Sequence, residues 1–170
     1  MFVKVCGITS VEDACRAQAA GATHIGVIFA PASPRCIGPR DAAHIRASIR
    51  VPIVGVFRGN PPEEVLEWSE QLNFVQLHGG FAPDLADQLR TRGKPVIWSV
   101  PVDPSGSWKD AEVRRDYLLL DTSTAGGFGG TGIPFDWSAC RRPDTPFFVA
   151  GGLTPENLPD VVHHLRPQGV

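Results

Sequence analysis

The sequence has little that would suit a membrane or a nucleic acid. No apolar run approaches the roughly 20 residues that span a bilayer, and the amino-terminal MFVKVCG has no signal-peptide pattern. Lys and Arg number 16 against 18 Asp and Glu, so the net charge is -2 and no basic block offers a nucleic-acid surface. We expect a cytoplasmic protein that binds neither a membrane nor nucleic acid.

Paired cysteines and metal-ligand spacings are also missing. The four cysteines form no C-x-x-C pair, which favours free thiols and a reducing compartment. His163 and His164 are adjacent on a predicted helix, so their side chains point apart. We therefore predict no metal site.

What the sequence does contain suits one globular domain. The 170 residues are 42% hydrophobic, and Gly and Pro are spread along the chain rather than gathered in a linker. We predict a single domain over residues 1–170.

Short apolar runs alternate with helix-like segments, which is typical of parallel βαβ units. Helices are expected at about residues 10–20, 41–49, 62–71, 83–92, 108–114, from 135, and at 154–165. Strands are expected at Phe2–Cys6, His24–Phe29, Pro52–Phe57, Phe74–His78, Pro95–Val100, Tyr117–Asp121 and Phe147–Ala150.

Seven such repeats predict an α/β fold, a (β/α)8 TIM barrel truncated before the eighth strand and helix, since complete barrels need at least about 200 residues. Strands one and seven would then be left unpaired. A doubly wound sheet is the competing fold. The absence of G-x-G-x-x-G after the first strand counts against a dinucleotide-binding version of it.

Candidate site residues lie where the strands end, because barrel enzymes build their sites there. Side chains alternate along a strand, so Lys4 shares a face with Cys6, and Gln76 with His78. If that face is the barrel interior, these four side chains converge with the side chain of Asp121. The strand-end candidates are Cys6, Gln76, His78, Asp121, Gly151 and Gly152.

The sequence leaves alternatives open for three candidates. Cys6 is either a buried core thiol or a general base whose thiolate is favoured by nearby positive charge. Asp121 either caps the loop after its strand or acts as a general acid, which requires partial burial to raise its pKa. Arg35, in a loop over the expected barrel mouth, is either a surface residue or a ligand for a carboxylate.

Two glycine-rich loops follow strands. The stretch DYLLLDTSTAGGFGGT runs from Asp116 to Thr131, and its glycines are interpreted as a mobile cover. The stretch FFVAGGLTPENL places Gly151 and Gly152 before a helix for which Thr154 is the expected N-cap. Free N–H groups and the helix dipole would hold a phosphate there, and a tight capped turn is the alternative.

Together these segments resemble the phosphoribosylanthranilate isomerases of tryptophan biosynthesis. The resemblance covers essentially the whole chain, in the family's order. Its pieces are VKVCGITSVEDA, GVIFAPASPRCI, VGVF, FVQLHG, LLLDTSTAGGFGGTGIPFDWS and VAGGLTPENL.

The resemblance implies a cofactor-independent Amadori rearrangement of N-(5-phosphoribosyl)anthranilate to 1-(2-carboxyphenylamino)-1-deoxyribulose 5-phosphate. It implies Cys6 as general base, Asp121 as general acid, Arg35 as the ligand of the anthranilate part, and Gly151 with Gly152 as one phosphate loop. A phosphosugar is thus the expected small-molecule partner, with Gln76 and His78 as further substrate-binding residues.

The chain departs from the family at three places. It ends where the family continues into a second phosphate loop, Cys36 replaces an aromatic residue, and Arg58–Gly59 lengthen a loop. A phosphate-binding barrel without turnover, completed by self-association or by a tryptophan-pathway partner, therefore stands as the alternative. A weaker alternative is another phosphosugar enzyme.

Overall fold

The computed structural model describes residues 1–110, 113–122 and 132–170. These residues form a parallel sheet of seven strands in sequential order, with helices between most of them. The elements are β1 (Lys4–Cys6), α1 (Val11–Ala19), β2 (His24–Ile28), α2 (Pro39–Ser48), β3 (Ile53–Phe57), α3 (Pro62–Ser69), β4 (Phe74–His78), α4 (Pro83–Thr91), β5 (Val96–Val102), β6 (Tyr117–Thr122), β7 (Phe147–Val149) and α5 (Leu158–Leu165).

The strands carry two sets of buried side chains because successive residues face opposite sides of a sheet. On β2, Ile25 and Val27 pack in the main core between sheet and helices, whereas Ile28 belongs to a cluster with Cys6 on the opposite face. On β3, Val54 likewise packs on the inner face against Phe148. Both faces are buried, which explains why the strands read as continuous apolar runs.

The two outer strands of the sheet meet through the last three residues. Gly169 forms parallel bridges with both Phe2 and Phe148. Phe2 N donates to Gln168 O at 2.9 Å, and Lys4 N donates to Val170 O at 2.8 Å. On the other side, Val149 N donates to Gly169 O at 3.1 Å. We call residues 168–170 the seam.

The seam corrects the expectation that strands one and seven have unpaired edges. Both strands use backbone groups facing the seam, so part of each edge is hydrogen-bonded. The seam backbone lies close to its neighbours, because a Cβ on Gly169 would be 2.7 Å from Phe2 Cβ and 2.7 Å from Phe148 Cε1. A glycine at 169 is what lets the two edges approach.

The expected helix over 108–114 is wrong for its described part. Trp108 pairs antiparallel with Val102, because the chain reverses between them. Asp103 Oδ1 accepts from Ser105 N at 2.9 Å and from Ser107 N at 3.1 Å, which stabilises that turn. Residues 111 and 112 lie outside the described part.

The expected helix from Phe135 is also replaced by a turn. Asp136 Oδ1 accepts from the N–H groups of Ser138 and Ala139, and the described residues between Asp136 and β7 form no helix. The side chain of an aspartate can satisfy backbone donors locally, and here it does so without nucleating a helix.

The last helix begins later than expected, at Leu158 rather than Thr154. Thr154 still makes a capping contact, since Asn157 N donates to Thr154 Oγ1 at 3.3 Å and Thr154 N donates to Asn157 Oδ1 at 2.8 Å. This reciprocal pair stabilises a separate turn before α5. Asn157, not Thr154, is the N-cap residue.

Candidate active site

A cavity of about 970 Å³ opens at the carboxyl ends of the strands. All seven residues proposed from the sequence line it, so the structure brings the whole predicted set together. They come from β1, the loop after β2, β4, β6 and the loop after β7. These residues are Cys6, Arg35, Gln76, His78, Asp121, Gly151 and Gly152.

Cys6 ends β1, and its half-buried side chain lies on the inner face of the sheet. Cys6 pairs in register with Gly26 of β2, and it packs beside Ile28, Ala30 and Val56. The thiol is therefore held at a strand end with apolar walls and an opening to the cavity. Cys6 therefore has features of both expected alternatives, because its side chain is partly packed like a core thiol and also faces the cavity like a catalytic group.

Arg35 reaches the end of β1 from the loop after β2. Arg35 Nη1 donates to the carbonyl O of Cys6 at 2.9 Å. The guanidinium lies over Gly7, whose φ is +82°, and any Cβ at that position would collide with Nη1. The positive φ of Gly7 favours glycine, and the missing side chain leaves room for the Arg35 guanidinium at the mouth of the cavity.

Asp121 and His78 form the titratable pair of the cavity, on β6 and β4. Burial raises the pKa of Asp121, and the charges of His78 and Lys4 offset part of that rise. Burial lowers the pKa of His78, a shift that Asp121 opposes and that Arg58 and Lys4 reinforce. Both directions favour a protonated carboxyl beside a neutral imidazole.

Gln76 adds an unsatisfied acceptor to the cavity. Its Nε2 donates to Ser99 Oγ at 3.1 Å, which fixes the amide orientation. Its Oε1 is buried and has no hydrogen-bond partner among the described residues. An unsatisfied buried carbonyl is costly, so a ligand hydroxyl or N–H that reaches Gln76 Oε1 gains a preformed acceptor.

The loop after β7 presents backbone donors. Gly151 and Gly152 have φ of +88° and +64°, and neither N–H donates to an acceptor within the described part of the chain. A Cβ on Gly151 would collide with Thr122 Oγ1, and one on Gly152 with the backbone at Pro134. Successive free N–H groups in such a loop suit an anion, although the helix behind them starts only at Leu158.

The structure adds to the cavity Arg58, which the sequence did not suggest for the site, and it also places there Lys4, which was expected to converge with Cys6. Arg58 follows β3 and Lys4 lies on β1, and both line the cavity. Arg58 could have been found with the same strand-end rule that found His78, because it comes directly after Phe57. The glycines of the predicted cover, at 126, 127, 129 and 130, lie outside the described residues, and Gly132 lines the cavity.

No group of three or more His, Cys, Asp or Glu side chains within residues 1–110, 113–122 and 132–170 could hold a metal ion. In the same residues, no helix is long and apolar enough to cross a membrane.

Comparison with known proteins decides the family. The family model for N-(5'phosphoribosyl)anthranilate (PRA) isomerase matches residues 3–170. The chain belongs to this family. Its members are isomerase enzymes of tryptophan biosynthesis, so the chain is an enzyme of this class.

Individual phosphoribosylanthranilate isomerases support the assignment. The isomerase of Rubrobacter xylanophilus is 42% identical over 99% of this chain and 85% of its own length. The crystal structure from Thermus thermophilus has a TM-score of 0.83 at 38% identity, covering 99% of this chain and 85% of that one.

A further isomerase structure was solved in complex with reduced 1-(o-carboxyphenylamino)-1-deoxyribulose 5-phosphate. It has a TM-score of 0.77 at 32% identity and covers 100% of this chain and 85% of that one. These matches favour an isomerase over a phosphate-binding barrel without turnover.

Proposed function

We propose that Cys6 and Asp121 are the general base and general acid of the isomerase reaction in this chain. The observation that carries the proposal is their placement on β1 and β6, facing one cavity, with the pKa of Asp121 raised by burial. In the sheet, β7 and the seam lie between β6 and β1. The acid and the base can therefore act on different parts of one sugar.

The reaction begins at the ring of N-(5-phosphoribosyl)anthranilate. Protonated Asp121 gives its proton to the ring oxygen, the bond from that oxygen to carbon 1 breaks, and an iminium forms. Cys6, as thiolate, then removes the proton from carbon 2, which the neighbouring iminium has acidified. The resulting enolamine tautomerises to the aminoketone product, so no redox partner is needed.

The charges of the cavity fit a substrate with a carboxylate and a phosphate. Among the described lining residues, Lys4, Arg35 and Arg58 are cationic and Asp121 is the acidic residue. In this proposal Arg35 binds the anthranilate carboxylate at the cavity mouth, where a guanidinium offers a planar fork of donors.

The phosphate would lie on the N–H groups of Gly151 and Gly152, which have no acceptor among the described residues. Gln76 Oε1 would accept from a sugar hydroxyl, because Ser99 already fixes its amide. His78 would contact the same sugar and remain neutral, since burial lowers its pKa.

Several features expected from the sequence remain proposals. The architecture is interpreted as a (β/α)8 barrel in which the seam is the start of the eighth strand, supported by the bridges of Gly169 to Phe2 and Phe148. That residues 1–170 form one domain and that the protein self-associates are predictions. Sedimentation of the purified chain would test the last.

Turnover measured as loss of substrate fluorescence tests the catalytic roles. Cys6→Ala and Asp121→Asn should each lower kcat by about 10²–10⁴-fold, the usual worth of one positioned proton transfer, or roughly 3–5 kcal/mol. Cys15→Ala and Asp84→Asn, at exposed positions on α1 and α4, are matched controls that should keep wild-type turnover. Full turnover by either site variant would refute the role of that residue.

A further inference from the structure

Gly26 occupies a position where glycine is unfavourable. It lies in the middle of β2 and is fully enclosed in a buried strand. Glycine in a strand interior costs backbone entropy and packs no side chain. Its φ is not among the positive values that require glycine, so backbone conformation gives no reason for the residue.

Gly26 instead supplies space for Cys6. A Cβ at position 26 would stand 2.8 Å from Cys6 Sγ, 3.0 Å from Cys6 Cα and 3.2 Å from Cys6 Cβ. The contact runs across the β1–β2 pair, in which Cys6 and Gly26 are register partners. Any side chain at 26 would therefore stand closer to the thiol than van der Waals contact allows, so the thiol or its neighbours would have to shift.

The backbone around this pair leaves little freedom to relieve such a contact. Gly26 O accepts from Gly7 N at 2.9 Å and from Ile8 N at 3.0 Å, which fastens the end of β1 to β2. Cys6 Cα could move away only if these hydrogen bonds lengthened. The easier response is rotation of the Cys6 side chain, which displaces Sγ.

We propose that Gly26 is a positioning residue for the Cys6 thiol, and that the missing side chain at 26 sets where Sγ stands at the end of β1. This inference rests on the proposed role of Cys6 as general base. It predicts that a methyl group at 26 misplaces the base without touching the parts of the cavity assigned to the carboxylate and the phosphate.

Gly55 offers a matched control on the neighbouring strand. It lies in the middle of β3 and pairs with Val27, but it faces the core between sheet and helices. A Cβ on Gly55 would meet the Leu72 methyl Cδ1 and would stand 3.0 Å from Phe29 Cε2. Ala at 55 thus strains the same sheet on the face away from the cavity.

The test compares Gly26→Ala with Gly55→Ala by steady-state kinetics. For Gly26→Ala, kcat should fall by about 10–100-fold, the scale of a 1 Å misplacement of a reacting group, while KM changes far less. Gly55→Ala should keep the wild-type kcat. Wild-type kcat in Gly26→Ala, or an equal loss in both variants, would overturn the proposal.

The alkylation rate of Cys6 by iodoacetamide, read by peptide mass mapping, gives a second readout. Cys15 is exposed on α1 and serves as the internal reference in the same chain. The Cys6-to-Cys15 rate ratio should change several-fold in Gly26→Ala and stay at the wild-type value in Gly55→Ala. An unchanged ratio in Gly26→Ala would overturn the proposal.

A double-variant comparison keeps the proposal testable even if Gly26→Ala is poorly folded. Removing Sγ with Cys6→Ala should relieve the closest contact, so Gly26→Ala should lower Tm less in the Cys6→Ala background than in wild type. Equal losses in the two backgrounds would contradict the inference. Full turnover by Cys6→Ala would instead refute the proposed function, whereas an inactive Cys6→Ala beside a normal Gly26→Ala would refute only the role of Gly26.

Discussion

The two ends of the same strands are built from different residues. At their amino ends the inner face carries a ring of aromatic side chains. The centroids of neighbouring rings are 4.7 to 6.3 Å apart. The rings belong to Phe2, His24, Phe74, Tyr117 and Phe148. At the carboxyl ends the inner face carries a thiol, an amide, an imidazole and a carboxyl around a cavity.

The difference shows how one sheet separates stability from chemistry. Stacked, tilted and edge-on aromatic pairs fill the amino end and gain stability beyond their buried area. The carboxyl end leaves Gln76 Oε1 unsatisfied and holds Asp121 where ionisation is disfavoured. Such groups lower stability, which is the usual cost of a site prepared for a ligand.

The largest expected effect comes from Asp121→Asn, which should lower activity while raising stability. Burial raises the pKa of Asp121 in the folded chain, so this carboxyl favours folding below its unfolded pKa and loses that contribution as pH rises through the folded value. Asn cannot ionise. We therefore expect kcat to fall by about 10²–10⁴-fold and Tm at neutral pH to exceed that of wild type.

Thermal melts from acidic to neutral pH would check the sign of this effect. The Tm advantage of Asp121→Asn should shrink toward acid, where Asp121 is protonated in both states. Asp84→Asn, in the first turn of α4 and exposed, is the control and should show no such advantage. An advantage that grows toward acid would contradict the assigned pKa direction.

The next largest effect is expected at the amino ends of the strands, where a substitution should lower stability and leave activity nearly unchanged. Phe74 is half-buried, with its ring centroid 5.3 Å from that of His24 and 6.2 Å from that of Tyr117. Phe74→Ala should lower the free energy of unfolding by about 3 kcal/mol, the low end for Phe-to-Ala changes in cores. Turnover per folded molecule should be nearly unchanged, because Phe74 does not line the cavity.

Urea unfolding and kcat measured on the same samples would separate these outcomes. Phe74→Leu keeps most of the volume and should cost less stability than Phe74→Ala. If Phe74→Ala lost activity as strongly as Asp121→Asn while remaining folded, the division between the two ends would be wrong.

The residues at the carboxyl ends of the strands could be predicted from the sequence, because the rule that finds them is local. A strand that ends on a polar residue is visible in Phe74–His78 and Tyr117–Asp121, and parallel strands bring those ends together without further information. The bounds of β4 agree with the structure at both ends. Arg58 was missed although the same rule reaches it.

The segments between β5 and β7 were predicted less well for a physical reason. The turn after β5 depends on Asp103 accepting from Ser105 and Ser107, and the turn near Asp136 depends on a similar side-chain contact. These local hydrogen bonds compete with helix formation and leave only a weak signal in a periodicity pattern. The DPSGS stretch at 103–107 was the available signal for the first turn.

Contacts between strands could not be predicted from the sequence at all. The fit of Cys6 Sγ against Gly26, and the seam of Gly169 between Phe2 and Phe148, depend on register across neighbouring strands. Register is fixed by packing of the whole sheet rather than by the residues of one strand.

The smallest expected effect tests whether the charge of Lys4 influences the protonation of Asp121 and His78 at the carboxyl ends of the strands. Lys4 lines the cavity beside Cys6, and its charge lowers the pKa of both Asp121 and His78. Lys4→Gln removes that charge, so both pKa values should rise. Since Asp121 must be protonated to act as acid, the basic limb of the kcat/KM profile, which reports the free enzyme, should move to higher pH.

The profile of Lys109→Gln, at an exposed position outside the cavity, is the matched control and should superimpose on that of wild type. A basic limb that stays in place in Lys4→Gln would mean that a group other than Asp121 or His78 sets it. An acidic limb that moves to higher pH while the basic limb stays in place would mean that Asp121 acts only after it has lost its proton, which is the reverse of the general-acid role. Because Lys4 lowers the pKa of both members of the pair, the limb that moves is decisive even if Asp121 and His78 titrate together.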